Sequence, residues 1–580
     1  MDRNFLLAFG LSLLVITLWM SMQPPPQPPE EAPAGSEAAR GPSPEGGEGQ
    51  GSTPRSAIPD WEPSAPGERQ APFDQAQVPS APAAEAAPVV DRTVTVSTDL
   101  FDAELSSLGG TLARFDLREY HDASGDVERP VSLATNALGL PGALATPFGE
   151  LGLGNWGTAA FEIEQPDRHT VVFSRSQGGV TLRKTFLFEE GRYDFRVRLE
   201  LTNGTGRVLE PIYEAVWPAA KQETSDFAEF SLVALQDDDV EQLMLASSAG
   251  TGCGGFGGAG DEPKTLAGDI YWAGAQTRYF LAVLIPEVAK VSSARFLPLE
   301  PGQVAVTTVG QNKIQLGPGA SHSYEYRVYL GPKEPARLAA GELGAVRLDA
   351  AIQLGWSWVA PLARFFSWLL AEIYGYVPNY GWVIILITIL VRVVTAPLLG
   401  RQMRSMKKMS TQMQALKPRL DAIKETHGDD RQKMSEETMK AYREAGVNPL
   451  GMLGGCLPLL LQFPVFIGLF YALQSSIELR QAPFIGWITD LSVPETLLVI
   501  PGLDLPLRVL PLIMGGSMFL QQKLTPQTSM DPAQAQMMTT VMPIMFTLLF
   551  YQFPSGLVLY WMVSNFLAIA HQLWINRTPT

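Results

Sequence analysis

The sequence predicts a polytopic α-helical membrane protein that carries a large all-β domain outside the membrane. Three observations lead there. Apolar runs of membrane length occur at the N-terminus and again after residue 380, short β-rich segments crowd the region between, and a basic loop at 401–448 interrupts the second set of apolar runs. At 580 residues the chain is also too long for one ordinary core.

The first 22 residues, MDRNFLLAFGLSLLVITLWMSM, hold one arginine and then an apolar run from Phe5 to Met22. A cleavable signal peptide has a shorter apolar core and a small-x-small site behind it. QPPPQPP stands there instead, so 1–22 reads as an uncleaved signal anchor with its N-terminus in the cytoplasm. Residues 23–88 are rich in Pro, Ala, Glu, Gly and Ser with almost no large apolar side chains. Such a segment cannot offset its chain entropy by burial, and it is expected to be a disordered linker.

From 89 to 347 the stretches TVVFSRS, VTLRKTFLFEE, YDFRVRLELTNGT and HSYEYRVYLGP alternate with period two or concentrate β-branched and aromatic residues. Many such strands at short spacing predict one extended β-sandwich of two big sheets. GTGCGGFGGAG at 250–260 contains a formal GxGxxG, but no helix pattern follows it, so it reads as a loop and not as a dinucleotide site.

Residues 348–380 mix aromatics with Arg364 and Glu372, which suits an amphipathic helix lying in the membrane interface. Five apolar segments follow at about 381–400, 451–474, 508–522, 541–553 and 555–575, giving six spans with the N-terminal anchor. Two of them, 508–522 and 541–553, fall short of the usual ~20 residues and suit a thinned bilayer. Six spans place both termini in the cytoplasm and the β-domain outside. Charge supports this topology: the chain has a net charge of −16, its acidity is concentrated between Met22 and Gly355, and eleven Lys and Arg sit in 401–448. Basic loops stay cytoplasmic.

Within that loop Met403, Met406, Met409, Met413, Leu416, Leu420 and Ile423 recur at three- and four-residue steps, HGDD breaks the pattern, and a second helical stretch runs from Arg431 to Glu444. A helical hairpin results. Its methionines either hold two solvated helices together or form an adaptable face for apolar segments, with basic residues toward ribosomal RNA or anionic lipid.

The residues argue against several kinds of chemistry. Two cysteines and five scattered histidines provide no metal-ligand spacing, and no GxxxxGK[ST] is present, so neither a metal, a nucleotide nor another cofactor is expected. Arg392 stands out instead, in the otherwise apolar run from Trp382 to Leu399. A mid-helix arginine costs roughly 2.5–3.5 kcal/mol on insertion scales, and the twelve Val, Ile and Leu of that run return about 0.3–0.6 kcal/mol each, so the segment still inserts. Arg392 lies ten residues beyond Trp382, about 15 Å along a helix and near the midplane of a ~30 Å core. The other spans carry no Asp or Glu in their interiors, and Glu478 sits at a span edge. The expectation is a hydrated groove lined by Arg392 and by Thr388 one turn earlier.

In order along the chain, the arginine helix with RVVTAPL, the basic hairpin, NPLGMLGGCLPLLLQFPVF, ELRQAPF and FPSGLVLYW resemble the YidC/Oxa/Alb family of membrane protein insertases over essentially all residues. The resemblance implies that 89–347 is a periplasmic β-supersandwich and that 381–580 is a five-span, five-helix insertase core. It implies that Arg392 and Thr388 line the substrate groove with Tyr560 and Trp561 of the last span. It places the apolar substrate path on Leu460, Phe463, Pro464 and Phe466. It also implies a non-enzymatic insertase and chaperone of the bacterial inner membrane that uses no nucleotide hydrolysis, with a monomer sufficient. The implied partners are nascent membrane proteins, the Sec translocon, membrane lipids, and the ribosome and signal recognition particle pathway through 401–448.

Three departures qualify it. Trp561 stands where close relatives carry a second tyrosine, extra residues separate NPLG from GGC, and the sequence stops at INRTPT without a long basic tail. Ribosome contact would then fall to the hairpin and to the Lys523–Thr540 loop. Two alternatives differ in class. A small-solute transporter could use Arg392 to bind an anion, though no repeat of spans is visible. A membrane-tethered periplasmic carbohydrate-binding protein would leave so elaborate a membrane half unexplained.

Overall fold

The computed structural model describes residues 91–122, 129–135, 142–220, 230–244, 263–288, 292–300, 304–311, 314–427, 430–445, 457–502, 505–524 and 536–577. The signal anchor, the linker, the glycine-rich loop at 250–260, the NPLGMLGGC segment and most of the Lys523–Thr540 loop lie outside the described residues.

The β-domain is built on a nine-stranded antiparallel sheet. It runs from Asp239–Met244 through Ser231–Gln236, Ile270–Gln276, Phe280–Pro286, Ser321–Pro332, Asp194–Asn203, Val180–Leu187 and Thr170–Gln177 to Glu162–Asp167. Toward the Glu162–Asp167 edge its strands alternate as a sheet with one packed face should, whereas Phe280–Pro286 is buried on both faces. In Val180–Leu187 the residues Val180, Leu182, Lys184 and Phe186 are buried while their neighbours are not.

Two four-stranded sheets cover that one face. Thr93–Ser97, Phe101–Ser106, Thr111–Asp122 and Arg129–Thr135 form the first, and Phe101 and Phe115 stack at 4.3 Å above Phe188 and Phe195. Lys264–Ala267, Ser292–Glu300, Val304–Gln311 and Glu214–Ala220 form the second, to which Tyr326 Oη of the large sheet donates at Tyr213 O (2.7 Å) and Val309 O (3.1 Å). The expected sandwich of two big sheets is therefore one large sheet opposed by two small ones. The solvent face of the large sheet is laced with pairs such as Arg198 to Glu325 at 3.0 Å.

Short helical turns at Pro335–Leu338 and Gly341–Ala345 lead the chain off the sheet. At Gly355, φ is +80° and a Cβ would stand 2.2 Å from the Tyr471 ring, so only glycine fits the crossing. Seven helices then follow among the described residues: α1 Ala360–Tyr374, α2 Tyr380–His427, α3 Arg431–Glu444, α4 Leu457–Ser475, α5 Val509–Leu524, α6 Met542–Phe550 with a π-helical turn before it, and α7 Ser555–Arg577.

Helix α1 is two-faced as its sequence suggests, burying Ala363, Phe366, Leu369 and Leu370 and exposing Phe365 and Trp368. Leu362 of α1 seats on Gly468 of α4, where a Cβ would meet it at 2.8 Å. By length and apolarity, two of the described helices can cross a membrane, Tyr380–Gly400 of α2 and Ser555–Ile575 of α7. Helices α5 and α6 are shorter, at 16 and 9 residues.

Helix α2 runs unbroken for 48 residues, from the apolar run through Gly400 into the first arm of the hairpin. A single glycine costs a helix only about 1 kcal/mol and need not end it. The turn after α2 is capped by Asp430, whose side chain accepts from Lys433 N at 3.1 Å, and Met413, Leu416 and Ala441 are buried between the arms.

Candidate functional site

Three helices bring polar side chains together inside the bundle. Helix α2 supplies Arg392, α4 supplies Gln462, and α7 supplies Tyr560 and Ser564, four residues apart on one helix face. Arg392 donates to Ser564 Oγ from Nη2 at 2.5 Å and from Nε at 3.1 Å. Gln462 Nε2 donates to Tyr560 Oη at 3.1 Å and lies 3.5 Å from Ser564 Oγ. Tyr560 and Ser564 are buried. Among the described residues no carboxylate pairs with Arg392, and its Nη1 has no acceptor. Among the described residues the guanidinium therefore meets a hydroxyl and no carboxylate.

The expected groove residues divide into three sets. Arg392 and Tyr560 share the cluster. Thr388 lies one turn before Arg392, but it is fully buried and its hydroxyl donates to Ile384 O at 2.7 Å, so that donor is committed to its own helix. Trp561 belongs to an aromatic group, with Phe466 edge-on at 4.7 Å, Phe550 at 5.0 Å and Phe546 at 6.0 Å.

On α4, Phe463, Pro464 and Phe466 are half-buried, so they keep part of an apolar surface open beside the polar cluster. Pro464 lies within the helix, where it has no N–H to offer the carbonyl of Leu460. The Leu460 side chain lies outside the described residues. Sequence reasoning missed Gln462 and Ser564. Gln462 had a signal, as the lone polar residue in LPLLLQFPVF, whereas Ser564 had none, being one small polar residue among several in α7.

A loop after α4 covers the end of the bundle at which α2 and α7 begin. Ser555 N donates to Val493 O and Gly556 N to Leu491 O, both at 2.9 Å, and Ser555 Oγ donates to Asp490 O at 2.8 Å. These bonds satisfy the first N–H groups of α7. At the start of α2, Gly381 admits the Phe484 ring where a Cβ would stand 2.0 Å away. The same loop reaches the β-domain: Ile477 joins its apolar core, and Arg480 and Gln481 both donate to His121 O.

Comparison with known proteins bears on what this arrangement serves. The 60Kd inner membrane protein family matches residues 372–580, and the YidC periplasmic domain family matches 93–369. A relative named Membrane protein insertase YidC from Geotalea daltonii is 34% identical and aligns over 100% of this chain and 99% of its own. One of the same name from Syntrophus aciditrophicus is 31% identical over 100% of both chains, and one from Cupriavidus metallidurans is 35% identical over 86% of this chain and 85% of its own. A crystal structure of an active YidC insertase aligns with 83% of this chain and 93% of that one, at 17% identity and a TM-score of 0.35. With identity above 30% sustained along both full lengths, this chain belongs to the YidC family of membrane protein insertases.

Proposed function

We propose that the chain inserts nascent membrane proteins by offering their polar residues a wet site at Arg392 while their apolar segments pass into lipid. The observation that carries this reading is the partner of Arg392. It meets a serine hydroxyl in place of a carboxylate, and its Nη1 has no acceptor among the described residues. A buried ion pair would silence the charge, whereas a hydroxyl leaves it able to host a polar group and lower the cost of taking that group out of water. Burial of the client's apolar segment in hydrocarbon supplies the driving force, so no nucleotide is required.

Phe463, Pro464 and Phe466 of α4 and the Trp561 group of α7 form the apolar side of the path, and Tyr560 and Gln462 hold its polar side. Thr388 contributes packing behind Arg392. Six spans, with α4, α5 and α6 completing a five-helix core and both termini cytoplasmic, agree with the basic hairpin formed by the end of α2 and by α3. That hairpin is the surface offered to ribosomes and the signal recognition particle pathway, and the Sec translocon is a partner for larger clients. The chain acts in the bacterial inner membrane as a chaperone and not as an enzyme.

Site-specific crosslinking tests the path. A photoreactive residue at 392, 463 or 560 should capture a stalled single-span nascent chain, and one at the lipid-exposed Val394 should capture less. Equal capture at all four positions would contradict a defined path.

A further inference from the structure

Between α4 and α5 the chain forms a two-stranded antiparallel hairpin, Leu498–Ile500 paired with Leu505–Leu507. Its base is held on several sides. Leu497 N donates to Leu507 O at 2.9 Å, Tyr551 Oη donates to Pro506 O at 2.5 Å, and Arg508 reaches back to the Tyr551 carbonyl. Glu495 is 5% exposed and accepts from Leu510 N at 2.7 Å and from Trp487 Nε1 at 2.6 Å, which locks the start of α5 to the same loop.

Beyond this base the ribbon is bare. Leu498, Val499 and Leu505 are 46%, 53% and 48% exposed, and because Leu498 and Val499 are consecutive in a strand they point to opposite faces. From 497 to 507 the sequence carries a single charge, Asp504. A lone two-stranded ribbon is marginal in water, and one with apolar side chains on both faces is an aggregation hazard. Apolar surroundings on both sides at once would relieve this exposure. A protein partner covers one face of a ribbon, but a lipid interface surrounds it. The hairpin also runs directly into α5, whose Leu512 and Ile513, 48% and 41% exposed, continue the same apolar surface.

We propose that the paired strands Leu498–Ile500 and Leu505–Leu507 seat in the outer-leaflet interface of the bilayer, with Leu498, Val499 and Leu505 among the headgroups and first acyl carbons. The proposal rests on α5 being a membrane helix. The strand Leu498–Ile500 alone extends about 10 Å, enough to enter an interfacial zone roughly 5–8 Å deep and too little to cross the core. The seat would fix the height of the covering loop, and through Glu495 and Arg508 the height of α5, relative to the lipid.

The test uses the full-length chain with Cys253 and Cys456 changed to serine and one cysteine introduced by Leu498→Cys, Val499→Cys or, on the β-domain, Val240→Cys. Each is labelled with an environment-sensitive fluorophore and reconstituted in phosphatidylcholine/phosphatidylglycerol vesicles, with and without lipid carrying a nitroxide at acyl carbon 5. Labels at 498 and 499 should be blue-shifted and quenched several-fold more than the label at 240. Quenching at both positions no greater than at 240 would overturn the proposal, and the hairpin would then be a surface for protein. Insertion of a single-span client is scored in the same vesicles. Unquenched labels with intact insertion remove the hairpin seat alone, whereas lost insertion by the parent chain counts against the insertase reading.

Discussion

On the outer face of the large sheet, Arg198 meets Glu325 at 3.0 Å and Arg196 meets Glu189 at 2.9 Å, all four side chains partly solvated. Inside the bundle Arg392 meets the hydroxyl of Ser564, with no carboxylate beside it among the described residues. Exposed pairs of the first kind contribute about 0–1 kcal/mol and keep a sheet soluble. A membrane cation of the second kind costs several times that, so its retention points to use and not to stability.

Lys184 sharpens the contrast. It is fully buried in the β-domain, its ammonium bonded to the Leu144 carbonyl and 3.5 Å from Gly109 O, and burial pulls its pKa from 10.5 down to about 7. A lysine under such strain can release its proton, whereas an arginine keeps its charge. The two regions place different cations where a carboxylate is missing, and only the one that cannot discharge lies at the site assigned to clients.

The largest expected effect is in the β-domain. Phe115 is fully buried and stacked on Phe101, so Phe115→Ala should cost about 3–5 kcal/mol of domain stability in urea unfolding. If client insertion fell in step, the division of labour between the regions would break.

Next comes Lys184→Met. Between pH 7 and 10.5 the unfolded chain holds the lysine proton and the folded chain does not, so the parent gains stability as pH rises through that window. The variant should lack this slope. Its stability relative to the parent should be greatest below pH 7 and fall by on the order of 5 kcal/mol toward pH 10.5. Urea midpoints at pH 6.5, 8.5 and 10 check it, and a variant with the parent's slope would assign the slope to another group.

In the bundle, Gln462→Ala or Ser564→Ala removes one hydrogen-bonding partner and should slow client insertion about fivefold, the equivalent of ~1 kcal/mol. Unchanged insertion rates in both would detach the polar cluster from function. The smallest effect belongs to Arg419→Ala in the hairpin. Its 2.6 Å pair with Glu444 is half-exposed, so thermal stability should change by less than ~0.5 kcal/mol.

Much of this architecture was legible in the residues. Alternation marked Val180–Leu187 as a strand with one packed face, and a charge in an apolar run marked Arg392. The partition into three sheets was not legible, because pairing such as Glu214–Ala220 with Val304–Gln311 joins segments far apart in the chain and is decided by tertiary packing. Ser564 was hidden for the same reason, since its partner Arg392 lies 172 residues away and neither leaves a local trace of the other.

Arg392 is proposed to serve passing clients as a positive charge that no carboxylate neutralises among the described residues. Arg392→Ala and Arg392→Lys, each reconstituted and scored for insertion of a single-span client, test it most directly. Insertion should fall at least tenfold in the alanine variant and stay near the parental level in the lysine variant. Full activity in the alanine variant would contradict it.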